Sequence, residues 1–153
     1  MWQYKTNFSR RFKQGFTLME TLLVLFLLGL VSLAAPLAWS FTEQNDLDVA
    51  TVTLAQSLRR AQSLSSIGFR DVSWGVETQS RSITIFKGAS FAGRDPGFDE
   101  VSALPVTFTI AGPNEIVFSK FYGLPQTTGS IMLTNPIGQS RTVNVNGGGK
   151  VAY

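Results

Sequence analysis

From Thr21 to Thr42 the chain runs for 22 residues without a single charged side chain. Wound into an α-helix at 1.5 Å per residue, such a run is about 33 Å long, close to the hydrocarbon thickness of a bilayer. The stretch therefore predicts a membrane-crossing helix. Lys5, Arg10, Arg11 and Lys13 precede it, while Glu43, Asp46 and Asp48 come after it. Positive charge favours the cytoplasmic side, so residues 1–15 are expected in the cytoplasm and the bulk of the chain on the opposite side. Glu20 stands at the mouth of this run, and a lone carboxylate beside hydrocarbon is costly unless neutralised or paired.

A second reading begins from the same residues. A basic leader, an apolar core and Ser32-Leu33-Ala34 also make an ordinary secretory signal, which would release a β-rich binding module after Ala34. The residues beyond the apolar run argue against it. After Trp39 the pattern turns amphipathic without a break. Leu47, Ala50 or Thr51, Leu54, Leu58, Ala61, and Leu64 or Ser65 recur at three- and four-residue intervals, and Gly68 ends the series. One helix over residues 16–67 would be roughly 78 Å long. Pro36 lacks the N–H that would bond to Ser32, so a kink or loosening is expected near residues 29–36.

After Phe69 the period drops to two. Val72, Trp74 and Val76, then Ile83 and Ile85, then Val106, Phe108 and Ile110 alternate with polar residues. Ile116 and Phe118, Ile131 and Leu133, and Val143 and Val145 continue the series, with Gly-, Pro- and Asn-rich turns between them. Six or seven short, mostly antiparallel strands are expected, packed on one side and wet on the other. The fold class is α+β, a long N-terminal helix packed on a C-terminal antiparallel sheet domain. The divisions fall at a leader (1–15), a transmembrane half-helix (16–42), an amphipathic half-helix (43–67) and a β-rich domain (68–153).

Charge and composition narrow the function. The formal charge of +3 comes from the leader, because outside its four basic residues Lys and Arg number nine against ten Asp and Glu. The folded part lacks the basic face that nucleic acid requires. Cysteine and histidine are both absent, which removes thiol nucleophiles, imidazole bases and the usual zinc sites. Asn146-Gly147-Gly148-Gly149-Lys150 lacks phosphate-loop spacing, since Asn144 stands where the first glycine belongs and Val151 follows the lysine; it reads as a hairpin turn. Asp95, Asp99 and Glu100 offer oxygen ligands in a glycine-rich loop but without EF-hand spacing, and a solvated loop is the better reading, with no metal site expected. Ser63, Ser65 and Ser66 have no base nearby in sequence and read as polar helix positions.

A short basic leader ending at Gly15, then Phe16-Thr17-Leu18-Met19-Glu20 and an apolar helix, resembles the class III signal of type IV pilins and type II secretion pseudopilins. The later order of an Ile-Val-Phe strand, a glycine turn, an apolar strand, an Arg-Thr-Val strand and a Gly-Lys-Val ending resembles the minor pseudopilin H and FimT group. DNA-binding members of that group carry an arginine-bearing C-terminal stretch, whereas this tail has only Arg141 and Lys150. The resemblance implies a pilin-like fold and a non-enzymatic, cofactor-free minor pilin or pseudopilin. It implies cleavage between Gly15 and Phe16 by a prepilin peptidase that also methylates the Phe16 amine, and an assembly role for Glu20. The implied partners are other pilins or pseudopilins, the bacterial inner membrane and its assembly platform, with the C-terminal domain outside the cytoplasm and later in a filament.

A residue without a side chain at the cleavage point lets a peptidase approach the backbone closely. Gly15→Leu is therefore expected to leave an uncut precursor that keeps Lys5, Arg10, Arg11 and Lys13, seen as a heavier band in membranes. Processing at the normal rate would remove Gly15 from the account.

Overall fold

A computed structural model describes residues 16–153, the side chains of residues 33–44 excepted. The leader, with Gly15 and its four basic residues, lies outside the described residues. The chain divides into two units, one ending at Ala38 and the other running Trp39–Tyr153. Helix α1 (Leu18–Ser66) supplies residues to both and is helical through Pro36, so the proline opens no break in the element. Among the described residues no helix is long and apolar enough to cross a membrane. Within the uncharged run Thr21–Thr42 the described side chains end at Ser32, so they cover only part of that run.

In the second unit, eight strands follow α1: β1 (Trp74–Gln79), β2 (Ser82–Lys87), β3 (Glu100–Ala103), β4 (Thr109–Ala111), β5 (Glu115–Phe118), β6 (Gly129–Thr134), β7 (Ser140–Val145) and β8 (Val151–Ala152). They form two antiparallel four-stranded sheets, ordered β3-β2-β1-β5 and β4-β6-β7-β8. This is the α+β, pilin-like arrangement expected, with helix packed on antiparallel sheet.

The helix supplies a single apolar stripe to both sheets. Leu47, Ala50, Leu54, Ala55, Leu58 and Ala61 are buried, joined from the first sheet by Trp74, Val76, Ile83, Ile85, Ile116 and Phe118. From the second sheet Ile131, Leu133, Val143, Val145 and Val151 enter the same cluster. Three of these, Ala50, Ala55 and Ala61, are alanines, which keep that face of the helix low. Thr51 is buried on the stripe too, and its hydroxyl donates to the Leu47 carbonyl at 2.7 Å, so it brings no unsatisfied polar group into the core.

Ser65 closes the far end. Its buried hydroxyl accepts the Trp74 N–H at 2.9 Å and donates to the Phe118 carbonyl at 3.1 Å, tying the helix to β1 and β5 at once. Its carbonyl accepts N–H groups from Gly68 and Phe121 at 3.0 and 2.8 Å. Gly68 then turns the chain with φ of 65°, and the Phe121 ring occupies the space a Cβ there would need. Glycine is required twice over, for the left-handed backbone and for the close approach.

The first sheet differs from the one-sided expectation. In β1 residues 74–78 are all buried, as are 83–86 in β2, because the loop after β2 folds back over the outer face. Phe91 stacks edge-on against Phe86 with centroids 5.5 Å apart, and its N–H donates to a Glu115 carboxylate oxygen at 3.0 Å. Gly75 makes this possible, since a Cβ would stand 2.5 Å from the Phe86 ring. The second sheet keeps the expected alternation: Ile131 and Leu133 are buried between outward residues of β6, as are Val143 and Val145 in β7.

Two further corrections concern edges. β3 was not anticipated, because its Val101 points outward and is 63% exposed, leaving no inward apolar period to read. Backbone pairing with β2 defines it instead. Val72, Val106 and Phe108 lie outside strands, although Phe108 is buried and the two valines pack against the core.

Ser65→Ala removes both hydroxyl bonds and leaves the Trp74 N–H buried without that partner, a loss of about 1–3 kcal/mol. Ser66→Ala touches only a bond to the helix's own Gln62 carbonyl on an exposed face and should stay within about 0.5 kcal/mol. Denaturant unfolding of the full chain in detergent checks the pair, and equal effects would contradict the clasp.

Candidate assembly site at the helix start

The sequence places its sharpest chemistry at residues 15–20, and the structure builds the start of α1 there. Thr17 is the residue before the helix, and its hydroxyl accepts the Glu20 N–H at 3.2 Å while its carbonyl accepts the Thr21 N–H at 3.1 Å. This is half of the reciprocal capping arrangement in which a Thr is followed three residues later by a Glu. The spacing of Thr17-Leu18-Met19-Glu20 carries that capping signal in the sequence, underneath the more conspicuous leader signal. It fixes where the helix begins, and it leaves the Glu20 carboxylate free of that task.

Glu20 lies in the exposed first turn, where the positive end of the helix dipole favours a carboxylate. Among the described residues none of the five ion pairs uses it. Phe16, just ahead of the cap, is 82% exposed. Phe16 and Thr17 precede the helix, so α1 begins two residues later than the expected start at Phe16.

From Leu18 to Val31 every large apolar side chain is exposed by at least 45%, and they point in all directions around the helix. Polar side chains within the run turn inward on their own helix: the Thr21 hydroxyl bonds to the Thr17 carbonyl at 3.3 Å and the Ser32 hydroxyl to the Leu28 carbonyl at 2.8 Å. The hydroxyls therefore cost little in a non-aqueous surrounding. A helix segment apolar all round is suited to a non-aqueous surrounding.

The other candidate residues fall elsewhere. Asp95 accepts the Gly97 N–H and pairs with Lys87 at 3.3 Å; Asp99 pairs with Arg94 at 2.8 Å; Glu100 takes both its bonds from Arg60, each at 2.7 Å. Each of these three carboxylates thus faces a cation of its own chain, and Glu100 belongs to β3 rather than to a loop. Among the described residues no group of three or more acidic side chains is placed to share a metal ion.

Ser65 is the buried clasp, and Ser66 bonds to the Gln62 carbonyl. Asn146 closes the glycine hairpin, its side-chain oxygen accepting the N–H groups of Gly148 and Lys150 at 3.1 and 2.9 Å, and β7 pairs with β8 across it. Arg141 is engaged by Asp48 at 3.1 Å.

One acidic pair was not anticipated. Glu77 and Glu115 stand opposite each other on β1 and β5, and Asn114 donates to Glu77 at 3.3 Å. Burial, and then the Glu115 charge, push the Glu77 carboxyl above its usual range against the opposing pull of Arg94. Glu77 and Asn114 border an open cleft of about 540 Å³ with Gln79, Ser80 and Gly112.

Residues 10–36 match the family model of the prokaryotic N-terminal methylation motif, the class III prepilin signal of type IV pilins and pseudopilins. No curated protein and no solved structure gives a significant match.

Proposed function

We propose that the chain is a minor pilin or pseudopilin, a non-enzymatic subunit of a type IV pilus or type II secretion filament. In this reading a prepilin peptidase of the bacterial inner membrane cuts between Gly15 and Phe16 and methylates the new amine. The apolar helix stays on the mature protein. It anchors the subunit in the membrane with residues 43–153 outside the cytoplasm, and the assembly platform then draws it into a filament of pilins or pseudopilins.

The observation that carries the reading is a coincidence of position. The methylation motif at residues 10–36 covers the described helix segment whose apolar side chains are exposed on every side. Lipid first and neighbouring helices later satisfy such a surface, whereas a cleaved secretory signal would discard it. The order of β5, β6, β7 and β8 with the turns between them supports a place near the minor pseudopilin H and FimT group.

The role of Glu20 follows from charge. After cleavage Phe16 bears a cationic amine in or near hydrocarbon, where an amine and a carboxylate are each costly alone and offset each other when paired. The pairing partner is the Phe16 amine, either of the same helix or of an incoming subunit meeting a Glu20 already in the filament.

The cap isolates this effect. Thr17 holds the Glu20 amide and not its carboxylate, so Glu20→Ala keeps the cap and loses only about 0.3–1 kcal/mol of helix-dipole interaction. Leaving the amine unpaired costs more, about 3–5 kcal/mol. Glu20→Ala is expected to be cleaved nearly as wild type yet to fail in filament incorporation, measured on processed and incorporated protein separately. Normal incorporation would sink the pairing role.

A further inference from the structure

Glu77 borders a cleft that neither the helix start nor the filament reading uses. Backbone frames it: the Thr78 N–H donates to the Asn114 carbonyl at 2.7 Å, and the Phe108 N–H donates to the Ser80 carbonyl at 2.8 Å. These two crossings hold residues 108–114 against residues 78–80, and the opening of about 540 Å³ lies among them. A volume of about 300–1,000 Å³ is usual for a ligand pocket.

Glu77 and Thr78 both line the cleft, although successive strand residues point to opposite faces of a sheet. The cleft therefore cuts across the edge of the first sheet, at the point where β5 begins with Glu115. Thr78 shares the face of Trp74 and Val76, which enter the core, and is 2% exposed. Its hydroxyl has no hydrogen-bond partner. A valine would fill the same space without leaving a buried polar group unmet, so an orphaned hydroxyl in the wall of a cleft points to a guest that completes the bonding.

On the other face the charge is unmet as well. Glu77 is 8% exposed and stands opposite Glu115, and neither carboxylate enters any of the five ion pairs among the described residues. Arg94, whose charge acts on Glu77, is taken by Asp99 at 2.8 Å. None of the residues lining the cleft is basic. A cation entering from outside would offset the repulsion between the two carboxylates. At the rim, the Gln79 and Asn114 carboxamides and the Ser80 hydroxyl can each donate and accept, as the peptide groups of another chain require.

We infer that this cleft binds an arginine side chain presented on an extended segment of a partner polypeptide. A guanidinium carries five donors and no acceptor, which suits a cleft whose buried groups are a carboxylate and an unpartnered hydroxyl. Its charge meets Glu77, with Glu115 beside it. A further donor of the same segment meets the Thr78 hydroxyl across the sheet edge, and the flanking peptide groups meet the rim. The site lies within the folded unit and does not depend on the filament reading.

The test titrates the peptide acetyl-Ser-Gly-Arg-Gly-Ser-amide into the isotope-labelled full-length chain in non-ionic detergent. The same peptide with citrulline for arginine keeps the shape and removes the charge. The expected result is a saturable movement of the Thr78, Ser80 and Asn114 amide signals with the arginine peptide, and binding of the citrulline peptide weaker by roughly tenfold. Glu77→Gln keeps the side-chain size and relieves the like charge facing Glu115, so the fold is not weakened, yet affinity should fall roughly tenfold. Thr78→Val removes a hydroxyl that bonds to nothing, so the chain should resist denaturant as well as wild type or better while affinity falls roughly three- to tenfold. A Thr78 that served only the fold would leave affinity unchanged. No saturable shift, equal binding of the citrulline peptide, shifts centred on other residues, or full affinity in either variant overturns the inference.

Discussion

The hydroxyl of Ser65 ties the end of α1 to two paired strands at once, β1 and β5. Everything in the folded unit is arranged around the helix stripe that ends there. Short four-stranded sheets such as these are marginal without a covering layer. The helix covers both through Leu47, Leu54, Leu58 and the alanines between them. A slip of the helix would misplace the clasp and both sheet contacts together, which makes its register part of the fold rather than a local matter.

The same α1 is built from two sequences with opposite demands. From Leu18 to Val31 it is apolar around its circumference, and its hydroxyls bond back to its own carbonyls. From Leu47 onward it is apolar along one stripe only, with Arg59, Arg60 and Ser63 turned outward. One covalent helix thus presents two surfaces suited to two environments. A carboxylate at its start and a polar clasp at its end mark where each begins and stops. The functional reading grows from this change of solvent along a single element, since a subunit that passes from lipid into a packed filament needs the first surface and keeps its fold through the second.

Much of this was legible because periodicity reports burial. The stripe from Leu47 to Ser65, the Gly68 stop, the alternation in β6 and β7 and the hairpin at Asn146 all appear in the sequence as they do in the structure. What escaped did so for physical reasons. β3 buries no apolar face and is defined by backbone pairing with β2, which leaves no mark in hydropathy. The buried outer face of β1 and β2 depends on Phe91 returning over Gly75, a long-range match between an aromatic ring and a missing side chain. At the site, Glu20 was recognisable from its place before the apolar run. The cap from Thr17 was equally readable as Thr-x-x-Glu, but it involves the amide of a glutamate whose charge is the more conspicuous feature. The pairing of Asp95, Asp99 and Glu100 with Lys87, Arg94 and Arg60 required the fold, because the Arg60 partner lies on the helix, 40 residues away in sequence.

The central proposal is that the leader is cut between Gly15 and Phe16, so that the apolar helix remains on the mature protein. N-terminal sequencing and intact-mass measurement of the protein taken from membranes test it directly. The account predicts a mature chain beginning at Phe16 with an N-methylated amine, and a chain beginning at Ala35 would contradict it.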